Sequence, residues 1–170
     1  TLVQLLIQSK RYDEASGYLK QQAEQARDPN IKLKYNRMLA SNLGSAGYPD
    51  QGLALLIQLL QQKNHTAEQM KALYQQALQI ISSQLDFSKT ERLWYQIKDD
   101  PRWASLHAAI CFKLAKVYFH VRAFDRAEKM LNLTVAQYPT TEYATESKQL
   151  LEQLRAREEL ASQRVGILLP

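Results

Sequence analysis

The sequence predicts an all-α chain of about four helical hairpins and a capping helix, with a short β-strand at its C-terminus. Apolar residues recur at helical spacing along almost the whole chain, which favours amphipathic helices over strands. Aromatic residues or proline also recur at the predicted turns, where Tyr12, Pro49, Phe87 and Phe124 are separated by 37, 38 and 37 residues. A constant period in this range is typical of stacked helical hairpins.

Helix-starting signals agree with this register. Two pairs have the spacing of a capping box, and two Asp-Pro pairs place a capping carboxylate before a proline at the first helical position. These pairs are Thr66 with Gln69, Ser88 with Glu91, Asp28 with Pro29, and Asp100 with Pro101. The predicted helices are residues 2–9, 12–26, 30–46, 50–63, 67–84, 89–98, 102–121, 124–137 and 141–160.

A small residue in the second helix of three hairpins marks where the two helices must approach closely. These residues are Ala15, Gly52 and Ala127. The last predicted helix, 141–160, has leucines on one side and charged residues elsewhere. We expect it to close the array, because the terminal unit of a stack needs one polar face.

The last seven residues, 164–170, depart from the helical pattern. An apolar run that includes Val165 and Ile167 ends at Pro170, which predicts a β-strand. A lone strand cannot satisfy its backbone or bury both faces, so we expect it to begin a truncated second domain. The predicted domains are residues 1–161 and 162–170.

The composition argues against several classes of function. The net charge is +5, but the 22 Lys and Arg are scattered among 17 Asp and Glu without a basic stripe. We therefore predict no nucleic-acid partner. No stretch approaches the about 18 consecutive apolar residues of a membrane-spanning helix. The single cysteine, Cys111, excludes a disulfide within the chain.

The chain offers few candidates for catalysis. His107 and Cys111 are four residues apart on one predicted helix, a spacing that could pair a base with a nucleophile. We expect instead that Cys111 fills a core position, because buried cysteine behaves as a small hydrophobic residue. The three histidines lack metal-ligand spacing, and no Gly-rich phosphate loop occurs. The sequence predicts a non-catalytic protein without cofactor or metal.

The repeat resembles the tetratricopeptide repeat, most closely over residues 108–141. The matching positions are Leu114, Ala115, Tyr118, Phe124, Ala127, Leu131 and Pro139. The period is slightly longer than is usual in that family, and its first aromatic position is occupied by Cys111, Asn36 and Tyr74. The resemblance covers about residues 1–140 and implies a divergent, tetratricopeptide-like α-solenoid.

The resemblance also implies a binding surface, because the first helix of each tetratricopeptide hairpin lines a groove. The predicted partner-binding residues are Lys34, Arg37, Gln75, Gln79, Phe112, Lys116, Phe119 and His120, with Ser41 beside them. Polar groups with two exposed aromatic residues suit a protein or peptide partner. The alternative is that they are ordinary solvated side chains. The family's carboxylate clamp is not reproduced, since Ser41, Gln76 and Ala109 replace its Asn and Lys.

Two segments near the C-terminus resemble proteins of the bacterial envelope. Residues 138–144, YPTTEYA, resemble a hairpin junction of tetratricopeptide lipoproteins. Residues 164–170 are similar to the first strand of type I periplasmic binding proteins. Together they resemble the penicillin-binding protein activator lipoproteins, which join a tetratricopeptide-like domain to a periplasmic-binding-like domain.

This second resemblance implies a module of a periplasmic lipoprotein held at the outer membrane by a lipid anchor outside this chain. Its expected role is to regulate peptidoglycan synthesis by activating a penicillin-binding protein. The alternative is the helical domain of a periplasmic receptor for amino acids or similar solutes, serving a transporter or sensor. The sequence leaves open the partner, the ligand of the second domain, the oligomeric state, and whether the module binds or only spaces.

Overall fold

The computed structural model describes residues 1–97 and 100–166, and within these residues it is helical without a β-strand. The helices are α1 Leu2–Gln8, α2 Tyr12–Gln25, α3 Pro29–Ser45, α4 Pro49–Leu60, α5 Ala67–Ser83, α6 Phe87–Ile97, α7 Ala104–His120, α8 Phe124–Gln137 and α9 Glu142–Gly166. A 3-10 turn at Pro101–Trp103 precedes α7. The predicted all-α class is confirmed for this part of the chain. No helix within it is both long and apolar enough to cross a membrane.

The chain divides into two compact units, Thr1–Leu85 and Asp86–Pro170. In the first unit α2 packs on α3, α3 on α4, and α4 on α5, and α3 also contacts α5. In the second unit α6 packs on α7, α7 on α8, and α8 on α9, and α7 also contacts α9. Each unit therefore contains two helices that are not consecutive in sequence but lie against one another.

The predicted hairpin positions coincide with helix starts. Tyr12, Pro49, Phe87 and Phe124 are the first residues of α2, α4, α6 and α8. The repeat period found in the sequence therefore marks the same structural position four times.

Three of the turns before these helices have the same backbone conformation. Lys10, Gly47 and Arg122 have φ angles of 57°, 91° and 60°. In each turn the next residue donates its amide to the carbonyl five residues back, as Arg11 does to Leu6 over 2.8 Å. This is the left-handed ending that commonly terminates a helix. The turn before α6 is different, because there the Asp86 carboxylate accepts a hydrogen bond from the Lys89 amide over 2.8 Å.

The small residues predicted at the helix crossings are buried. Ala15 and Ala127 are fully buried, and Gly52 lies in α4 where it meets α3. A Cβ atom on Gly52 would come within 2.5 Å of the backbone oxygen of Ala40. The crossing of α3 and α4 therefore requires glycine.

Three of the four predicted helix-starting signals are formed. Thr66 and Gln69 make a complete capping box, and Asp28 and Asp100 each accept a hydrogen bond from the backbone amide two residues on. The capping box predicted at Ser88 is wrong. Because α6 begins at Phe87, Ser88 lies inside its first turn, and Asp86 supplies the cap instead.

The C-terminal strand prediction is wrong where the structure describes it. Helix α9 continues to Gly166, so residues 164–166 are helical, and residues 167–170 lie outside the described residues. Extending an existing helix adds one hydrogen bond per residue, whereas a single strand leaves its backbone groups unpaired. The predicted domain boundary after residue 161 falls within α9, and the second domain stays a prediction.

Candidate functional site

A groove in the first unit, called here the first groove, contains four of the predicted partner-binding residues. It lies along α3 and α5, with Ile7 contributed by α1, and has a volume of about 710 Å³. Lys34 and Arg37 line it from α3, and Gln75 and Gln79 line it from α5. The other lining residues are Ile7, Asn30, Leu33, Met38, Ser41, Gln69, Ala72 and Gln76.

Helical spacing explains why these side chains share a groove. Lys34, Arg37 and Ser41 are separated by three and four residues, which places them on one face of α3. Gln75 and Gln79 are four residues apart and form the equivalent row on α5. Ala40, which is fully buried and does not line the groove, anchors the neighbouring face of α3 in the core.

Side-chain hydrogen bonds connect the two helices along the first groove. The amide of Gln76 donates to the backbone oxygen of Arg37 over 2.7 Å and to the hydroxyl of Ser41 over 2.8 Å. Its oxygen accepts from the Nε atom of Arg37 over 3.2 Å. Near the other end, Gln69 donates to the side-chain oxygen of Asn30 over 2.8 Å. The spacing of the two walls is therefore fixed at two points.

A groove in the second unit, called here the second groove, contains the other four predicted residues. Phe112, Lys116, Phe119 and His120 line it from α7, and its volume is about 390 Å³. The opposite wall comes from α9, where the lining residues are Glu146, Gln149, Leu150 and Gln153. The second groove therefore combines aromatic rings with charges of both signs.

The aromatic residues of the second groove are less accessible than expected. Phe112 is only 9% exposed, so the prediction that it is an exposed aromatic residue is wrong. Tyr143 lies against its ring at 5.9 Å, and the Lys116 ammonium lies 5.6 Å from the ring centre. Phe119 is half-buried, with the guanidinium of Arg157 at 5.7 Å from its ring. Cations of the same unit therefore already cover both rings.

The predicted core role of Cys111 is confirmed. Its side chain is fully buried, and Trp94 donates a hydrogen bond to its sulfur over 3.3 Å. Burial raises the pKa of the Cys111 thiol to about 11, with the Trp94 hydrogen bond opposing this rise. Because the thiolate is the reactive form, this environment disfavours nucleophilic chemistry at Cys111.

His107 is also buried, in a cluster that it forms with Trp94, Cys111 and Tyr138. Its ring stacks on Trp94 with centroids 5.8 Å apart, and its Nδ1 atom lies 3.7 Å from the Cys111 sulfur. Nδ1 also makes a short hydrogen bond with the Tyr138 hydroxyl, whose pKa is raised mainly by burial. The cluster joins α6, α7 and the segment before α9, so it serves the packing of the second unit.

Sequence reasoning missed two parts of the candidate site. Gln76 was noticed only as a departure from the carboxylate clamp, although it is the residue that joins Arg37 to Ser41. The wall of the second groove from α9 was also missed, because that helix was expected only to close the array. A row of polar residues at positions 146, 149 and 153 was the available signal.

Within the part of the chain that the structure describes, no group of three His, Cys, Asp or Glu side chains could hold a metal ion. No protein-family model, curated protein or solved structure matches the chain.

Proposed function

We propose that this chain is a non-catalytic protein-binding module, built as a tetratricopeptide-like solenoid, which holds a partner in its helix-lined grooves. The observation that carries the proposal is the position of the predicted contact residues. All eight line a groove, four of them between α3 and α5 and four between α7 and α9. A shared groove position is what a binding surface requires, whereas eight unrelated surface residues need not lie in grooves at all.

The polarity of the grooves supports a protein or peptide partner over a small molecule. Amides or charged groups make up seven of the twelve lining side chains in the first groove and four of the eight in the second. Small-molecule sites are usually apolar with few polar groups. Exposed amides and cations can form many hydrogen bonds with a peptide backbone and its side chains.

We further propose that the module belongs to a periplasmic lipoprotein that activates a bifunctional penicillin-binding protein. The support is the resemblance of residues 138–144 to envelope lipoproteins, together with the hairpin register marked by Tyr12, Pro49, Phe87 and Phe124. Part of the resemblance at the C-terminus has lost its support, because residues 164–166 are helical.

The test measures binding of the 170-residue chain to the periplasmic portion of a bifunctional penicillin-binding protein. Two groove variants are made, each altering one groove, and none of the altered residues belongs to the buried core. The first carries Lys34→Gln with Arg37→Gln, and the second carries Lys116→Gln with His120→Gln. The matched control carries Lys20→Gln with Lys129→Gln, two exposed lysines that do not line either groove.

We expect at least one groove variant to weaken binding about tenfold, while the control binds as the parent does. Circular dichroism should show equal helicity in all four proteins. Binding that both groove variants retain would place the contact elsewhere and overturn the proposed site. Failure of the unaltered chain to bind would overturn the proposed partner.

A further inference from the structure

The first groove carries charge of one sign. Lys34 is exposed in it and Arg37 is half-buried, one helical turn away on α3. None of the described residues that line the groove is acidic. The second groove differs, since its lining includes Glu146 from α9 as well as Lys116 from α7. An electropositive groove without an internal counter-charge favours an anionic occupant.

Gln76 fixes the cation that is most deeply placed. Its side-chain oxygen accepts the Nε hydrogen of Arg37, while its nitrogen holds the Arg37 carbonyl and the Ser41 hydroxyl. With Nε engaged, the two terminal nitrogens of Arg37 are the donors left to meet a ligand. Paired donors of this kind match the two oxygens of a carboxylate.

The facing helix presents neutral groups suited to a peptide backbone. Gln75 and Gln79 are exposed one turn apart on α5, and each amide can donate and accept a hydrogen bond. Since the bonds of Gln69 and Gln76 already fix the wall spacing, little ordering of the groove is needed on binding.

The length of the groove sets the size of the occupant. The lining residues of α3 run from Asn30 to Ser41, a distance of roughly 16 Å at the helical rise per residue. An extended peptide advances roughly 3.3 Å per residue, so about five residues fit along it.

We propose that the first groove binds an extended peptide segment of about five residues with acidic side chains. Arg37 and Lys34 pair with its carboxylates, and Gln75 and Gln79 hydrogen-bond its backbone. The proposed acidic groups are side chains within the segment and not its C-terminal carboxylate. Two cations one helical turn apart can each pair with a different acidic side chain of an extended peptide. This inference rests on the proposed function and adds the chemistry of the partner.

The probe is a fluorescein-labelled decapeptide, blocked at both ends, in which glutamate alternates with alanine over the central six residues. One comparison peptide has glutamine in place of every glutamate. A second has the glutamine sequence with a free C-terminal carboxylate. Fluorescence anisotropy with the 170-residue chain measures the Kd of each peptide at low and at physiological salt.

We expect the glutamate peptide to bind at least about tenfold more tightly than either glutamine peptide, with a Kd that rises with salt. Arg37→Gln should weaken this binding about tenfold, and Lys34→Gln should weaken it less because that side chain is more exposed. Lys20→Gln, which removes the same charge outside the groove, should leave the Kd unchanged.

A sharper variant is Gln76→Glu, which keeps the shape of the side chain and places a carboxylate beside Arg37. The internal ion pair should compete with the peptide, so the glutamate peptide should lose affinity by about tenfold while helicity is retained. Tm should fall slightly, because a carboxylate cannot donate the hydrogen bond that the Gln76 nitrogen gives to the Arg37 carbonyl. Retained affinity would overturn the role given to Arg37.

Two further outcomes would overturn the proposal. Equal affinity for the peptide with a free C-terminus would mean that the groove binds chain ends, and a weakening by Lys20→Gln equal to that by Arg37→Gln would mean non-specific attraction to a basic protein. If no peptide binds but the periplasmic portion of the penicillin-binding protein still does, this inference is wrong and the proposed function stands. If neither the peptides nor that protein bind, both the inference and the proposed partner are wrong.

Discussion

Each groove lies between two helices that are two apart in the chain, α3 with α5 and α7 with α9, but the two grooves differ in chemistry. In the first groove, amides join the walls, and Lys34 and Arg37 have no acidic neighbour among the described lining residues. In the second groove, Lys116 and Arg157 lie over aromatic rings of their own unit, and Glu146 adds the opposite charge. Helical spacing therefore decides which residues face a groove, whereas their identity decides what the groove can bind.

The helix crossings and helix-ending turns of the two units are alike despite this difference. Each unit has a helix crossing at a small residue, Gly52 in the first and Ala127 in the second, and each has a turn that ends in the left-handed conformation. Variants of these shared features test whether the two units follow one design.

The largest effect is expected at the crossing in the second unit. Ala127 is fully buried in α8, so Ala127→Arg forces a charged side chain into a tight contact and should cost on the order of 3 to 5 kcal/mol of unfolding free energy. Urea denaturation measures the loss, and hydrogen exchange should show it in α7 and α8. The control is Ala136→Arg, which is exposed on the same helix and should change stability by less than about 0.5 kcal/mol. Equal midpoints for the two variants would show that the assigned crossing is wrong.

A smaller loss is expected at the corresponding crossing in the first unit. Gly52→Ala brings a Cβ atom to 2.5 Å from the Ala40 oxygen, and a backbone atom cannot move aside as a side chain can. We expect a cost of about 1 to 3 kcal/mol in urea denaturation, because the helices must separate.

Gly17 provides the matched control for that change. It lies on the exposed face of α2, and a Cβ atom added there meets nothing within 4 Å. Gly17→Ala should stabilise the chain by up to about 1 kcal/mol through helix propensity alone. A loss at Gly17, or none at Gly52, would contradict the close approach of α3 and α4.

The third prediction concerns the stability of the chain at alkaline pH, which depends on the buried Cys111 thiol of the second unit. The pKa of Cys111 is about 11 in the folded chain, above its ordinary value of 9.0. The unfolded chain therefore loses the thiol proton first as the pH rises. Stability is fully present below pH 9 and falls as the pH approaches 11, by about 2 kcal/mol.

Urea denaturation at several pH values between 7 and 11 checks this dependence. Cys111→Ala is the control, because it keeps every other titrating group, including the tyrosines whose pKa values are also raised by burial. Its stability should fall less steeply than that of the unaltered chain over this pH range. Parallel curves of stability against pH for the two proteins would show that the thiol has the same pKa in the folded and the unfolded chain.

Local signals predicted much of the fold. The helices predicted to start at residues 12 and 124 start there, and those predicted to start at 50 and 89 start one and two residues earlier, at Pro49 and Phe87. These starts were predictable because turn residues and helical spacing are properties of short stretches of sequence. The errors arose where two local signals competed. Asp86 and Ser88 are both good capping residues, and the structure uses Asp86. Phe87, which lies between them, packs against Tyr118 of α7 with ring centroids 5.5 Å apart, a contact that no short stretch of sequence indicates. At residues 164–166, continuation of α9 outweighed a β-prone composition.

The candidate site was less predictable, because it depends on contacts between distant residues. Helical spacing placed Lys34 and Arg37 on one face, but the bond from Arg37 to Gln76 joins residues 39 positions apart. The buried amide of Asn42 likewise donates to the Tyr12 carbonyl over 2.7 Å and to the Ser16 hydroxyl over 2.8 Å. No pattern within a single helix indicates such partners. The same limit explains why Phe112 was expected to be exposed, since Tyr143 covers it from another helix.

The smallest effects are expected at the left-handed turns, which occur in both units. Lys10 and Arg122 have φ angles of 57° and 60°, a conformation in which their Cβ atoms are strained. Lys10→Gly and Arg122→Gly should each raise the unfolding free energy by about 0.5 to 1 kcal/mol, since relief of strain exceeds the added entropy of the unfolded chain. Gly47→Ala makes the opposite change at the equivalent turn and should lose about 1 kcal/mol. Because Lys10 and Arg122 belong to different units, the two gains in stability should add in the double variant. Urea denaturation of the unaltered chain, the two single glycine variants and the double variant measures this. A loss of stability in either glycine variant would contradict a common turn geometry in the two units.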